Sequence, residues 1–292
     1  MTALDQLQPK LFEEFKAVLQ ADRLNHAYLF SGDFASLDMA LYLAQSRFCE
    51  NLKDKLPCGN CRACHLIQNN EFSDVKLLEP SGQVIKTDTV KEMMRDFSSS
   101  GFEGKAQVFI IRDCEKMHVN AANSLLKFIE EPQSDSYMFL LTSDENKVLP
   151  TIKSRTQIFR FPKNFDYLTG IAEKAGFLKT NAQIYAQVAK DEKHLQELLL
   201  NKKVLELLQS CQIFIKALMT NQVQVYLEVA RLSQIAVDKS EQELAFHFLT
   251  LLLNKESDAK SKVNYLKKLF EARRMWSSNV SFQNALEYMV IS

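Results

Sequence analysis

The sequence predicts an α/β domain with a parallel sheet covered on both faces, followed by an all-α remainder. Three observations carry that prediction. Short apolar runs alternate with helical patterns through the first half of the chain, as strands joined by crossover helices do. All seven Gly lie at or before Gly176 and all six Pro at or before Pro162, so the rest of the chain lacks both common turn-formers. Apolar residues there recur every three or four positions: Val204, Leu205, Leu208, Cys211, Ile215, Leu218, then Val225, Val229 and Leu232.

In chain order, the first strand is expected in HAYLF (26–30), with the helical pattern LDMALYLAQSRF (37–48) after it. DVKLLE (74–79) is the next strand, and DTVKEMMRDF (88–97) the next helix. QVFII (107–111), the helical NAANSLLKFIEE (120–131), YMFLL (137–141) and QIFRF (157–161) complete the alternation. A boundary near Pro162 follows. DYLTGIAEKAGF (166–177) to HLQELLL (194–200) forms a small helical module, and EQELAFHFLTLLLN (241–254), AKSKVNYLKKLFEA (259–272) and VSFQNALEYMVI (280–291) continue the helical spacing. Nothing catalytic stands out in that remainder, which has the pattern of a packing or assembly domain.

A length of 292 residues fits about two domains, or three small ones, and 46% hydrophobic residues is enough for an ordinary core. With 36 basic and 36 acidic residues the formal charge is zero, which argues against a stand-alone nucleic-acid binder. The N-terminal MTALDQLQPKLFEEF lacks the pattern of a secretory leader, and no run approaches the ~18 apolar residues of a membrane span. The expectation is a soluble cytoplasmic protein, whose six cysteines are thiols or metal ligands rather than disulfides.

Four of those cysteines, Cys49, Cys58, Cys61 and Cys64, form C-x8-C-x2-C-x2-C. Two-residue gaps let a tight turn aim neighbouring thiolates at one tetrahedral ion, and Pro57 and Gly59 supply turn chemistry. Four sulfurs fill a zinc shell and leave no position for water, which predicts a structural zinc. Free thiols or a redox C-x-x-C pair are the alternatives, and His65 could replace one thiolate. Cys114 and Cys211 sit in apolar patterns as packing residues. His26, His118, His194 and His247 show no metal spacing.

LFSGDFASLDMALYLA (29–44) has the frame of a phosphate-binding loop, G-x-x-x-x-G-K-[ST], counted from Gly32. In that register the second Gly is Leu37, the Lys is Asp38 and the hydroxyl residue is Met39. Asp38 would repel the anion that the loop should hold. QVFIIRDCEKM (107–117) has the form of a Walker B strand in which Arg112 occupies the metal-binding Asp position and Asp113 the catalytic Glu position. Both nucleotide motifs keep their frames and lose their chemistry.

With NAANSLLKFIEEP (120–132), FLLTSDE (139–145), LPTIKSRTQIFRF (149–161), NHAYLFSG (25–32) and the cysteine cluster, the chain closely resembles the bacterial clamp-loader delta-prime family of the DNA polymerase III holoenzyme, in the AAA+ class. The likeness is dense from Asn25 to Pro162. It implies an AAA+ sheet domain over 1–162 with a zinc module at 49–64, a helical lid over 163–201 and a helical collar over 202–292. It further implies a subunit with no ATPase and no bound ATP of its own, which helps load a sliding clamp onto primed DNA. Its partners would be the gamma/tau motor subunits and the delta subunit, with the clamp and primer-template DNA reached through the complex.

Ser154 and Arg155 match the family's Ser-Arg-Cys motif, with Thr156 departing from Cys. The resemblance makes Arg155 an arginine finger for a neighbouring ATPase subunit; without it, Arg155 is an ordinary surface residue after a helix end. Lys86, Lys91 and Arg95 lie on or just before a helix, with Lys91 and Arg95 on one face. In the family's fold they could touch DNA phosphate, and a solvated face is the alternative. Glu130 and Glu131 are taken as a structural helix end before Pro132. Two other functions fit parts of the sequence: an active AAA+ ATPase with unusual phosphate contacts, and a stand-alone zinc-bearing nucleic-acid-binding module.

Overall fold

The computed structural model describes residues 4–80, 82, 84–98, 106–131, 135–220 and 222–291. It divides into two compact units, Met1–Asn164 and Phe165–Ser292. The division falls two residues beyond Pro162. The Asn164 side chain donates to the carbonyls of Gln6 (3.0 Å) and Leu7 (3.3 Å), which ties it to the first unit.

The first unit opens with helices α1 (Leu4–Leu7) and α2 (Pro9–Gln20), the latter with Pro at its start, where no amide donor is needed. Strand β1 (Ala27–Ser31) leads into α3 (Ser36–Phe48), then α4 (Arg62–Gln68), β2 (Val75–Leu78), α5 (Thr87–Ser98) and β3 (Ala106–Ile111). After a 3₁₀ turn at Cys114–Lys116 come α6 (Val119–Glu130), β4 (Asp135–Thr142), α7 (Pro150–Lys153) and β5 (Gln157–Arg160). All five strands fall on the apolar runs. Pro132, at the end of the NSLLKFIEEP motif, lies outside the described residues.

The strands order as β2-β3-β4-β1-β5, and every pairing is parallel. Alternate strand residues therefore serve opposite faces. Tyr28, Phe30, Val108, Ile110, Phe139 and Leu141 pack with Phe12 and Phe15 of α2, Leu43 of α3 and Ile67 of α4. Ala27, Leu29, Phe109, Ile111, Met138 and Leu140 pack on the other face with Val90 of α5, Leu125 and Ile129 of α6 and Ile152 of α7. Both faces being dry explains why β1, β3 and β4 read as near-continuous apolar runs, whereas the edge strands β2 and β5 carry exposed Lys76, Gln157 and Arg160. Helices after β1 lie on one face and those after β2, β3 and β4 on the other, as right-handed crossovers require when the chain steps first one way and then the other along the sheet. The switch falls at the carboxyl ends of β1 and β4, where open α/β sheets place their ligands.

The second unit is helical: α8 (Phe165–Lys174), α9 (Lys179–Val188), α10 (Glu192–Leu200), α11 (Lys202–Thr220), α12 (Gln222–Ile235), α13 (Lys239–Lys255), α14 (Ala259–Ser277) and α15 (Phe282–Ile291). Four of its helix starts beyond Gly176 are capped by short acidic or amide side chains. Asp191, Asp238 and Asp258 accept backbone N–H bonds at the starts of α10, α13 and α14, with a full capping box between Asp238 and Glu241. Asn201 accepts from the Lys203 amide at 3.0 Å at the start of α11. Val204, Leu208, Cys211, Ile215, Leu218, Val225, Val229 and Leu232 are all buried, as their spacing predicts. Among the described residues no helix is long and apolar enough to cross a membrane.

Candidate functional site

The β1–α3 turn sits at the switch point, held on both sides by backbone. Gly32 N donates to Thr142 O of β4 at 2.8 Å, and Phe161 N, just past β5, donates to Ser31 O at 2.7 Å. Gly32 has φ +107°, and an added Cβ would lie 2.3 Å from Phe161 O. Close approach to the β5 backbone thus demands glycine here independently of any phosphate. Gly32→Ala should destabilise the first unit by at least about 2 kcal/mol in denaturant titration. Gly170→Ala in α8 is the contrasting case: its Cβ meets nothing within 4 Å, and a gain of up to about 1 kcal/mol is expected.

Beyond Gly32 the turn is short. Ala35 adopts a left-handed φ of 62°, and α3 begins at Ser36, one residue ahead of the second glycine position of the frame. Phe34 and Met39 are buried, so neither lines an open anion site. The Gln8 side chain, 5% exposed, donates to Phe34 O (2.9 Å) and to Pro162 O (2.7 Å), fastening the turn to the end of β5. Asp38 lies in the first turn of α3. Its charge faces the positive end of the helix dipole, the place a phosphate would take. Desolvation raises its carboxyl above the ordinary range, opposed by its own backbone N–H and by Arg112.

The Walker B frame is likewise engaged within the chain. Arg112 pairs with Glu79 at 2.5 Å, and Asp113, with φ 49°, pairs with Lys116 at 2.8 Å. Asp33 beside them is raised chiefly by desolvation and then by the Asp113 and Glu115 charges. Gln8, Glu79 and Lys116 are the partners that sequence reading missed. Their separations along the chain from Phe34, Arg112 and Asp113 follow no helix or strand period, except for Lys116, three residues after Asp113.

Cys49, at the end of α3, and Cys58, Cys61 and Cys64, in and before α4, bring four sulfurs within 4.8 Å of one another. Cys61 and Cys49 Sγ are 3.9 Å apart, close to the ~3.8 Å edge of a tetrahedron with 2.3 Å metal–sulfur bonds. Backbone amides aim at the sulfurs: Cys58 N to Cys49 (3.2 Å), Asn60 N to Cys58 (3.4 Å) and Cys64 N to Cys61 (3.5 Å). Burial raises the Cys61 thiol, but amides of Cys64 and Glu50 and the neighbouring thiols outweigh it and bring it down to about 7. The donor set fits a four-coordinate metal with no open position. Cys114 and Cys211 are buried packing residues, as expected. A cavity of about 600 Å³ opens beside Cys49 and is lined also by Arg47, Arg62 and Tyr137. It lies toward the opposite, amino-terminal ends of the strands from the nucleotide frame.

Ser154 ends α7 and Arg155 follows it, with the Arg155 amide on Ile152 O at 3.0 Å. The Arg155 side chain is solvent-exposed. Its Nε donates to Glu130 at the end of α6, and Nη1 donates to Thr151 O (3.1 Å) and Ser154 Oγ (3.3 Å). Glu130, read from sequence only as a helix end, is therefore an Arg155 partner. Lys86, immediately before α5, and Lys91 and Arg95 on it, are exposed.

A crystal structure of a DNA polymerase III gamma-subunit-related protein from Thermotoga maritima superposes with a TM-score of 0.53 at 20% identity, over 95% of this chain and 96% of that one. The family model for the DNA polymerase III delta subunit matches residues 7–165, and the chain belongs to that family, among delta-prime clamp-loader subunits. The delta-prime subunit of Bacillus subtilis is 39% identical over 160 residues, 54% of this chain and 48% of that protein. The delta-prime subunit of Pseudomonas aeruginosa is 34% identical over 134 residues, 44% of this chain and 41% of that protein. The aligned region thus spans about half the length of these relatives.

Proposed function

We propose that the chain is a non-catalytic subunit of a cytoplasmic replicative clamp loader within the DNA polymerase III holoenzyme. It supports ATP-driven loading of a sliding clamp onto primed DNA in a hetero-oligomer with gamma/tau motor subunits and a delta subunit. The observation that carries the non-catalytic reading is the state of the nucleotide frame. Leu37 and Met39 offer neither loop curvature nor a magnesium hydroxyl, Asp38 opposes phosphate, Arg112 cannot ligate magnesium and Asp113 is an acid shorter than the catalytic Glu.

In this reading the first unit keeps the strand–turn–helix because the sheet needs it. Residues 163–201 act as the lid and 202–292 as the collar. Cys49, Cys58, Cys61 and Cys64 hold a zinc ion whose contribution is a structural cross-link. Arg155, with Ser154 beside it, reaches a neighbour's nucleotide and stabilises charge developing on the transferring phosphate. Lys86, Lys91 and Arg95 supply phosphate contacts along DNA.

Titrating the isolated chain with ATP and omitting it from a reconstituted loader test this together. No binding at micromolar ATP and loss of clamp loading on omission are expected. Micromolar affinity would instead favour an ATPase in its own right, and salt-dependent DNA affinity of the isolated chain a stand-alone nucleic-acid binder. Asp38→Lys alone should create no ATPase, because the remaining frame positions stay blocked. Measurable turnover by that variant would show the nucleotide site to be far less degenerate than proposed.

A further inference from the structure

We infer that Glu130 is a positioning residue for Arg155: its carboxylate holds the guanidinium by Nε and leaves the Nη2 donors for a neighbouring subunit's phosphate. The inference rests on the reading of Arg155 as a trans-acting arginine. Arg155 carries five N–H donors in a planar fork. Nε is taken by Glu130, while Nη1 is taken by Thr151 O at 3.1 Å and Ser154 Oγ at 3.3 Å. Among the described residues no hydrogen bond is made by Nη2. A long, flexible side chain is thus braced from two elements, the end of α6 and the end of α7, with the Nη2 donors left for a ligand.

The placement of Glu130 supports a role tied to Arg155. It is the last residue of α6, where the helix dipole favours a cation and disfavours a carboxylate. Stability of α6 therefore gives no reason for an acid there, and the Arg155 cation does. Both side chains are partly exposed, 36% for Arg155 and 47% for Glu130. A pair this open contributes little to folding. Its larger effect is on where the guanidinium sits, and misplacement by about an ångström can cost up to a hundredfold in rate.

The test uses loaders reconstituted with the full chain carrying Glu130→Ala, Glu130→Gln or Arg155→Ala, and the double variant Glu130→Ala/Arg155→Ala. Glu130→Ala should lower kcat for DNA-stimulated ATP hydrolysis on the order of tenfold. KM for ATP and the melting temperature should hardly change. Glu130→Gln keeps an acceptor for Nε and should retain most of the rate, which a charge-independent helix-end role would not distinguish from Ala. The double variant should be no slower than Arg155→Ala alone, because the carboxylate acts only through the guanidinium. Wild-type kcat for Glu130→Ala beside an impaired Arg155→Ala overturns the positioning role and leaves the finger standing. A double variant slower than Arg155→Ala also overturns it. Wild-type kcat for Arg155→Ala itself removes the underlying reading. Should Glu130→Ala fail to assemble, the Gln variant decides, since a tenfold loss from that near-isosteric change would contradict the acceptor role.

Discussion

Arg155→Ala should leave the chain folded, metal-loaded and assembled with its partners, yet deprive the adjoining motor site of hydrolysis by on the order of a thousandfold. Retention of the fold follows from the position. The residue lies past the end of a four-residue helix, its side chain is exposed, and the core beneath is made by Ile152, which the change does not touch. The size of the catalytic loss is that of trans-acting arginines in related phosphoryl transfer, where the cation meets charge that develops only in the transition state. Arg155→Lys should restore little, because a single ammonium cannot both bind Glu130, as Nε does, and present a separate donor group, as Nη2 does. Total ATPase will fall nearly completely if motor sites fire in order around the ring, and less if they fire independently. The measurement is clamp-dependent, DNA-stimulated turnover paired with sizing of the complex. Full turnover from an intact complex would remove Arg155 from the chemistry.

The strands and most helices were legible because their signals are local. Strands buried on both faces must be apolar throughout, and QVFII or YMFLL can satisfy little else. The helical unit was legible for a complementary reason: with no Gly or Pro after Gly176, several of its breaks are written in caps such as Asp238 with Glu241 three residues on. The cysteine cluster was legible because all four thiols lie within sixteen residues. What stayed hidden was every contact made by folding distant segments together. Gln8 meets Pro162, Glu79 meets Arg112 and Glu130 meets Arg155 only once the fold brings elements distant along the chain together. The contact that demands glycine at Gly32 was hidden for the same reason. The sequence places it in the frame of a phosphate loop, and its close contact is with the backbone of Phe161 just past β5, far along the chain.

The chain should carry one zinc, and losing it through Cys58→Ser or Cys61→Ser should cost the first unit on the order of 4 kcal/mol, or about 10 °C in Tm. The estimate rests on how little else organises residues 49–64. Before α4, the segment between the cysteines has a single isolated bridge, Lys53 to Leu56, and left-handed backbone at Asp54, Lys55 and Gly59. Backbone held in that way needs outside support. The ligands are also joined to the core: Cys61 and Cys64 pack with Ala63 and Ile67 against the α2–α3 face of the sheet. Without a metal, four thiols stay crowded within 4.8 Å, and burial raises Cys49 and Cys64 against ionising. Metal binding replaces those protons and couples the turn to folding. Acidification should therefore release the metal and lower Tm together, since protons compete for the same sulfurs. Because the sheet core has its own apolar clusters, chelation should weaken the first unit rather than unfold the whole chain. Elemental analysis and melting curves of reduced protein, with and without chelator, provide the check. Metal-free protein with an unchanged Tm would leave the four cysteines as ordinary thiols.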